Sequence, residues 1–210
     1  MTLLRPATFA LLLVAGLPGC AAISALGGAA TPLEAYEIST PAVPVARRPS
    51  GRELVVELPG AGGGFQTDRI MLRPNPLQAQ YLPGARWTEE TPALVQTLML
   101  RSLDATGGFR HVGRKPLGSF GDVALVSEIL DFQGEAQDGT ATVRLRLSAR
   151  LVRESDARVI AGRQFVATTS VADLSPLAVV EGFDRAAAGL MAELAGWVLS
   201  NLGVPAGPAG

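Results

Sequence analysis

Histidine, cysteine and aromatic residues are scarce in this chain: among 210 residues there is one histidine, one cysteine and 5% aromatic side chains. Because His111 is alone, a two-histidine metal site is excluded, and a catalytic triad would depend on that single residue. The few aromatic side chains offer no obvious stacking platform for sugars or bases. The formal net charge is −1, and no long basic or acidic run occurs, which argues against nucleic-acid binding.

Familiar catalytic motifs are missing as well. The sequence Gly118-Ser119-Phe120-Gly121 lacks the spacing of a Gly-x-Ser-x-Gly nucleophile elbow. The glycine-rich run 60–64 is followed by Phe65-Gln66, where a P-loop has Lys-Ser/Thr, so we expect no phosphate binding. Aspartate and glutamate are scattered along the chain. The sequence therefore leaves a paired-carboxylate hydrolase open, although it singles out no pair of carboxylates. We therefore expect no enzyme, no cofactor and no metal.

The first twenty residues carry the most information. Arg5 precedes an apolar stretch over residues 7–17, which has the length of a secretory signal and is too short to span a bilayer. The sequence Leu17-Pro18-Gly19-Cys20 then resembles the lipobox of bacterial lipoproteins, in which the chain is cut before the cysteine and its thiol is lipidated. A plain secretory signal or an uncleaved anchor is the alternative.

Lipidation at Cys20 would have several consequences. Two or three acyl chains anchor a protein almost permanently, because each buried methylene adds ~0.8 kcal/mol. No thiol would remain for disulfides, metal ligands or nucleophilic catalysis. In proteobacterial lipoprotein sorting, aspartate at the second mature position favours the inner membrane. Ala21 lacks that mark, so we expect the periplasmic face of the outer membrane.

Composition divides the chain into four parts. We predict a signal peptide over residues 1–19, a flexible lipid-anchored tether over 20–33, a folded domain over 34–202 and a disordered tail over 203–210. We predict a short extended piece around Tyr36-Glu37-Ile38, after which three prolines, at positions 41, 44 and 49, interrupt any regular element as far as Ser50-Gly51.

Two helices stand out within the domain. Thr91-Pro92 gives an N-cap followed by proline at the first helical position, and glycines 107–108 end this helix. Ser175-Pro176 begins the second by the same signal. Its apolar residues recur every three or four positions as far as Val198, which is typical of an amphipathic helix packed on a core.

Alternation of apolar and polar residues predicts the strands. It is most regular over residues 140–152, whose antiparallel partner we expect at 158–169, with a third long strand at 122–132. Shorter strands are predicted at 54–58, 69–72, 78–82 and 109–112. The order predicts an α+β fold: a two-layer sandwich with a mixed, mostly antiparallel sheet and both helices packed on one face.

The order of several short motifs resembles the ABC-type transport auxiliary lipoproteins, a family that includes the PqiC-like lipoproteins. The motifs are Tyr36-Glu37-Ile38, Val55-Val56-Glu57-Leu58-Pro59, Asp68-Arg69-Ile70-Met71, and Tyr81 followed by Arg86-Trp87-Thr88-Glu89, with Trp197 in the closing helix. The resemblance covers residues 36–202. The glycine-rich insertion at 60–64 departs from it, since the family has a compact turn there.

The resemblance implies a function. Such lipoproteins accompany mammalian-cell-entry (MCE) domain proteins and ABC transporter subunits that move lipids or other hydrophobic molecules across the periplasm. The resemblance thus implies a non-catalytic accessory role. Whether several copies assemble into a homo-oligomeric ring is not decided by the sequence. The alternative is an envelope structural or assembly lipoprotein that binds peptidoglycan or an outer-membrane protein.

Five residues are candidates for partner binding: Asp68, Arg69, Tyr81, Arg86 and Trp87. They flank a predicted hairpin, where an arginine stacked on tryptophan or bridging a carboxylate would fix the hairpin against the first helix. A purely structural role and a contact surface are both open for them. The same holds for an arginine stripe, Arg144, Arg146 and Arg150, which could meet acidic lipid headgroups or a partner, or simply face water.

Overall fold

The computed structural model describes residues 32–209. The predicted signal peptide, the lipidation site Cys20 and most of the predicted tether lie outside the described residues.

The described chain has two α-helices, α1 (Thr91–Ala105) and α2 (Pro176–Asn201), and a 3-10 turn at Gly63–Phe65. The strands are β1 (Glu34–Tyr36), β2 (Pro44–Ala46), β3 (Glu53–Val56), β4 (Gly60–Ala61), β5 (Arg69–Asn75), β6 (Gln78–Trp87), β7 (His111–Gly113), β8 (Val123–Gln137), β9 (Thr140–Arg153), β10 (Arg158–Val171) and β11 (Ala206–Ala209).

The long strand β8 organises a nine-stranded sheet. On one side it pairs in parallel with three short strands in succession: β3 near Leu125, β4 near Glu128 and β5 near Gly134. On the other side it pairs antiparallel with β9 along its whole length, and β10 follows β9. The β5–β6 hairpin therefore lies toward the carboxyl end of β8, whereas β3 and β7 lie toward its amino end.

One hydrophobic core joins both helices to one face of this sheet. On β9 the alternation is kept in full: the inward residues Ala141, Val143, Leu145, Leu147, Ala149 and Leu151 are at most 4% exposed. Helix α2 buries twelve residues, among them Phe183 and Leu194, and it contacts α1. The α+β prediction is thus confirmed.

Parallel pairing is more extensive than the sequence predicts. The long ladders β8–β9 and β9–β10 are antiparallel, but β1–β6, β3–β7 and the three short strands beside β8 are parallel. The sheet is mixed, as predicted, and the finer description as a mostly antiparallel two-layer sandwich stays a prediction.

Helix α1 begins at Thr91, one residue earlier than the sequence predicts. The Thr91 hydroxyl donates to the Thr67 carbonyl (3.2 Å) and does not cap the helix.

Two stretches predicted to be irregular are ordered. Ala46 pairs with Ala206, so β2 and β11 form a small antiparallel sheet that includes part of the predicted disordered tail. Val204, which is 4% exposed, holds the start of that tail against the core. The composition misleads here because proline is compatible with an edge strand that needs few backbone donors.

Helix α2 lies so close to the sheet that only glycine fits at one position. A Cβ atom on Gly182 would lie 2.4 Å from Cγ2 of Val171 and 3.1 Å from Cγ2 of Val143. The glycine therefore sets the distance between the helix and strands β9 and β10.

Gly182→Ala should lower the free energy of unfolding by about 1–3 kcal/mol, because the added methyl group overpacks the core. Gly189→Ala is the matched control in the same helix, where a Cβ would meet nothing within 4 Å. It should raise stability by about 0.5–1 kcal/mol through helix propensity. Urea denaturation measures both, and a Gly182→Ala protein as stable as the Gly189→Ala protein would contradict the close approach.

Candidate functional site

The predicted contact residues lie on and beside the β5–β6 hairpin. The hairpin is irregular, since Met71 pairs with Tyr81 whereas Arg69 pairs with Arg86, so that one residue between the two pairs on β5 faces four on β6. The extra residues on β6 include Pro83 and Gly84, and Gly84 has a φ of 72°, which favours glycine. This bulge turns the end of β6 so that β1 can pair with it in parallel.

An ion pair ties the two ends of the hairpin together. Nη1 of Arg86 lies 3.3 Å from Oδ2 of Asp68, and both side chains are a little over one-third exposed. The backbone N–H of Trp87 donates to the Asp68 carbonyl at 2.7 Å. The sequence prediction of an arginine bridging a carboxylate is therefore confirmed, whereas no stacking of Arg86 on Trp87 occurs within the described residues.

A cation–π contact forms the outer part of the same region. The Arg69 guanidinium carbon lies 5.5 Å from the ring centroid of Tyr81, and the Tyr81 side chain is exposed. The hairpin surface is defined here as Asp68, Arg69, Tyr81 and Arg86. It presents a carboxylate, two cations and an aromatic ring on a framework fixed by strand pairing. Its role in partner binding stays a prediction.

Trp87 differs from the other four candidates because it is buried. It is 1% exposed and packs edge-on against Phe132 and Phe183, with ring centroids 6.0 and 5.2 Å away. It therefore has no surface with which to touch a partner. Its position anchors the end of β6 in the core, beneath the hairpin surface.

The arginine stripe on β9 is largely neutralised by carboxylates on β8. Nε of Arg144 lies 2.8 Å from Glu135, and Nε of Arg146 lies 2.8 Å from Asp131. The Arg144 hydrogen bonds lower the pKa of Glu135 and outweigh the effect of partial burial. Arg150 is exposed and has no ion pair within residues 32–209. Most of the stripe is thus a paired polar sheet face.

A polar cleft near the hairpin tip was not anticipated from the sequence. It has a volume of about 850 Å³ and lies between the end of β5 and the β8–β9 hairpin. Nε of Arg73 donates to the side-chain oxygen of Gln133 across it at 2.7 Å. The cleft depends on the register that pairs Leu72 with Gly134, and no local sequence pattern reports that long-range register.

The single histidine and the acidic side chains of the described residues are the side chains that could hold a metal ion. Nε2 of His111 lies 3.3 Å from the Lys115 carbonyl, and no three acidic or histidine side chains among residues 32–209 converge as metal ligands. None of the described helices is long and apolar enough to cross a membrane.

The sequence model of the ABC-type transport auxiliary lipoprotein component matches residues 36–195, about three-quarters of the chain. The chain belongs to this family. The resemblance seen in the sequence is confirmed, and the family is described as an auxiliary lipoprotein component of ABC-type transport.

The chain is also similar to individual proteins and solved structures. An uncharacterized protein of Bradyrhizobium diazoefficiens is 29% identical over 181 residues, and the chain spans about half its length (47%). The crystal structure of a Xanthomonas campestris protein is 25% identical with a TM-score of 0.73, covering 81% of this chain and 97% of that one. A second crystal structure, of an uncharacterized protein, is 16% identical with a TM-score of 0.62 over 80% and 99%, and shows the same fold.

Replacing Trp87 should affect stability far more than replacing its exposed neighbour on β6. Trp87→Ala should lower the free energy of unfolding by about 3–5 kcal/mol, since it empties an aromatic core position. Tyr81→Ala removes an exposed ring and should cost less than about 1 kcal/mol. Urea denaturation checks both values. Equal losses would show that Trp87 is not the core anchor described above.

Glu135→Gln should make stability less dependent on pH. The lowered pKa of Glu135 means that its ion pair stabilises the native state above the ordinary carboxyl pKa of 4.5 and that this contribution is lost as pH falls. The pair is partly exposed, so the variant should lose only about 0.5 kcal/mol at pH 7. Its unfolding free energy should converge with that of the original protein as the pH falls below the lowered pKa of Glu135. A difference in unfolding free energy that stays constant from pH 7 to acidic pH would contradict the stabilising ion pair between Glu135 and Arg144.

Proposed function

We propose that this chain is a non-catalytic lipoprotein, anchored through Cys20 on the periplasmic face of the outer membrane. It acts as the auxiliary component of an ABC/MCE-type system that moves lipids or other hydrophobic molecules across the periplasm. The observation that carries the proposal is the family match over residues 36–195. The MCE-domain protein, the transporter subunits and the outer membrane are the parts that go beyond the family description.

The hairpin surface is the proposed docking site. Its ion pair and its cation–π contact hold the polar groups in place before any partner binds, which reduces the entropy lost on association. Buried Trp87 fixes the strand beneath it. Arginine and tyrosine are residue types that contribute strongly at protein interfaces, because they combine apolar contact area with polar groups.

The interior supports positioning of a partner rather than storage of cargo. The apolar pocket between the two helices and the sheet, lined by Leu98, Phe132, Leu145 and Leu190, has a volume of about 20 Å³. That is room for about one water molecule and far less than an acyl chain needs. The mechanism we propose is therefore positional: the anchor fixes one end, and the folded domain grips the transport assembly.

The test is affinity purification of the tagged full-length protein from detergent-solubilised native membranes, with mass spectrometry of proteins and lipids. We expect an MCE-domain protein or ABC transporter subunit to co-purify. Arg69→Glu combined with Tyr81→Ala should reduce its recovery about tenfold, equivalent to ~1.4 kcal/mol. The particle mass tests whether several copies form a ring.

Arg101→Glu is the matched control, because Arg101 is an exposed arginine on α1 and is not one of the four residues of the hairpin surface. It should leave recovery unchanged. Equal recovery with the hairpin double variant would exclude the proposed docking site. Recovery of peptidoglycan fragments or outer-membrane barrel proteins alone would instead support the structural or assembly alternative.

A further inference from the structure

The loop between β7 and β8, residues 114–122, exposes two large apolar side chains. Leu117 is 68% exposed and Phe120 is 77% exposed, although apolar residues of this size are usually buried. Arg114 and Lys115 precede them in the chain, and both are exposed. The loop thus carries two exposed apolar side chains at its apex and two exposed cationic side chains where it leaves β7.

The base of this loop is held by hydrogen bonds, so the apolar side chains project from a fixed platform. The Arg114 guanidinium donates to the side chains of Gln96 and Thr97 on α1, at 3.0 and 2.9 Å. At the other end, the N–H of Gly121 donates to Glu154 at 2.6 Å. Neither contact covers Leu117 or Phe120.

The surface around the loop is basic. Three segments, 47–53, 104–122 and 153–158, meet at this end of the sheet and contain eight arginine or lysine residues against five acidic ones, whereas the whole chain has a net charge of −1. Backbone hydrogen bonds join them: Ser50 donates to Gly108, and Arg110 donates to Arg52. All eight basic side chains are exposed: Arg47, Arg48, Arg52, Arg110, Arg114, Lys115, Arg153 and Arg158.

Most of these cations are not neutralised by the described protein. Within residues 32–209, Arg110 pairs with Glu53 and Arg153 pairs with Asp156, and the other six form no ion pair. Two of the five carboxylates, those of Asp122 and Glu154, accept backbone N–H groups instead. The positive charge at this end therefore remains available to an external anion.

We propose that this end of the domain, which we call the basic end, rests on a bilayer surface that carries anionic headgroups. In this arrangement Leu117 and Phe120 enter the interfacial region, and the arginine and lysine side chains contact phosphates. Two apolar side chains that are both more than two-thirds exposed on one loop fit a fluid interface better than a shaped protein surface. Long basic side chains can reach headgroups while their methylene stems lie along apolar material.

The inference is separate from the proposed docking role. The β5–β6 hairpin tip, where Leu77 is 98% exposed, lies at the opposite end of β8, roughly 40 Å away at about 3.3 Å per residue. A domain resting on its basic end would therefore direct the hairpin tip away from the bilayer. Only one of these two ends can touch a flat membrane at a time.

The test places a tryptophan at each end of the full-length acylated protein, reconstituted in vesicles whose acyl chains carry bromine, which quenches tryptophan on contact. In phosphatidylglycerol vesicles, Phe120→Trp should lose at least about half of its added emission. In phosphatidylcholine vesicles at the same salt, the loss should be several-fold smaller. The emission of Trp87 and Trp197 in the unsubstituted protein is subtracted, and circular dichroism confirms folding.

Leu77→Trp is the matched control and should remain unquenched in both kinds of vesicle. Adding Lys115→Glu to the Phe120→Trp protein, or raising the salt to 0.5 M, should reduce quenching, because the attraction is electrostatic. Absent quenching at residue 120, or stronger quenching at residue 77, would overturn the proposal and leave the apolar apex to a protein partner. The vesicles contain no transport component, so this outcome does not depend on the proposed docking and transport roles; it rests on the proposed function only for the acyl anchor at Cys20.

Discussion

The arrangement of strands along β8 is the constraint on which the rest of the structure depends. One edge of this fifteen-residue strand is shared by three short parallel strands, and β9 occupies the other edge completely. Because β3 and β5 pair with different stretches of the same edge, the basic end lies beside the amino end of β8 and the β5–β6 hairpin lies toward its carboxyl end. The hairpin surface and the basic end owe their positions to this division.

The core connects these regions to one another. Trp87 ends β6, Phe132 lies on β8 and Phe183 lies on α2, and the three rings pack together. This aromatic cluster therefore joins the end of the hairpin to the main sheet and to the closing helix, in addition to the pairing of β5 with β8. An ion pair between partly exposed groups, such as Asp68 and Arg86, contributes little free energy by itself, so its main effect is to select a geometry that the core already supports.

Local patterns predicted the elements well, and long-range pairing accounts for what they missed. The periodicity of α2 and the alternation on β9 each report burial on one face, and both are confirmed. The sequence could not show that Trp87 faces inward, since the bulge at Pro83-Gly84 interrupts the alternation along β6. It also could not show the parallel partners of β8, because register between distant segments leaves no local signal. In the sequence, the loop with Leu117 and Phe120 stands out only because Gly118-Ser119-Phe120-Gly121 lacks the spacing of a nucleophile elbow. Large apolar residues between glycines are nevertheless a signal that these side chains lie in a loop.

The short edge strand β1 has a consequence for how the domain would bear mechanical load. It pairs with β6 over only three residues, beginning at Glu34, and the chain enters the described fold immediately before it. Under the proposed anchoring, a pull on the tether reaches β1 first. The next attachments are the N–H of Ser39, which donates to Asp184 at 2.7 Å, and buried Ile38. Tension between membrane and partner would therefore detach β1 from β6 before it reached the aromatic core. The weak pairing of β1 would thus limit the force that the core experiences.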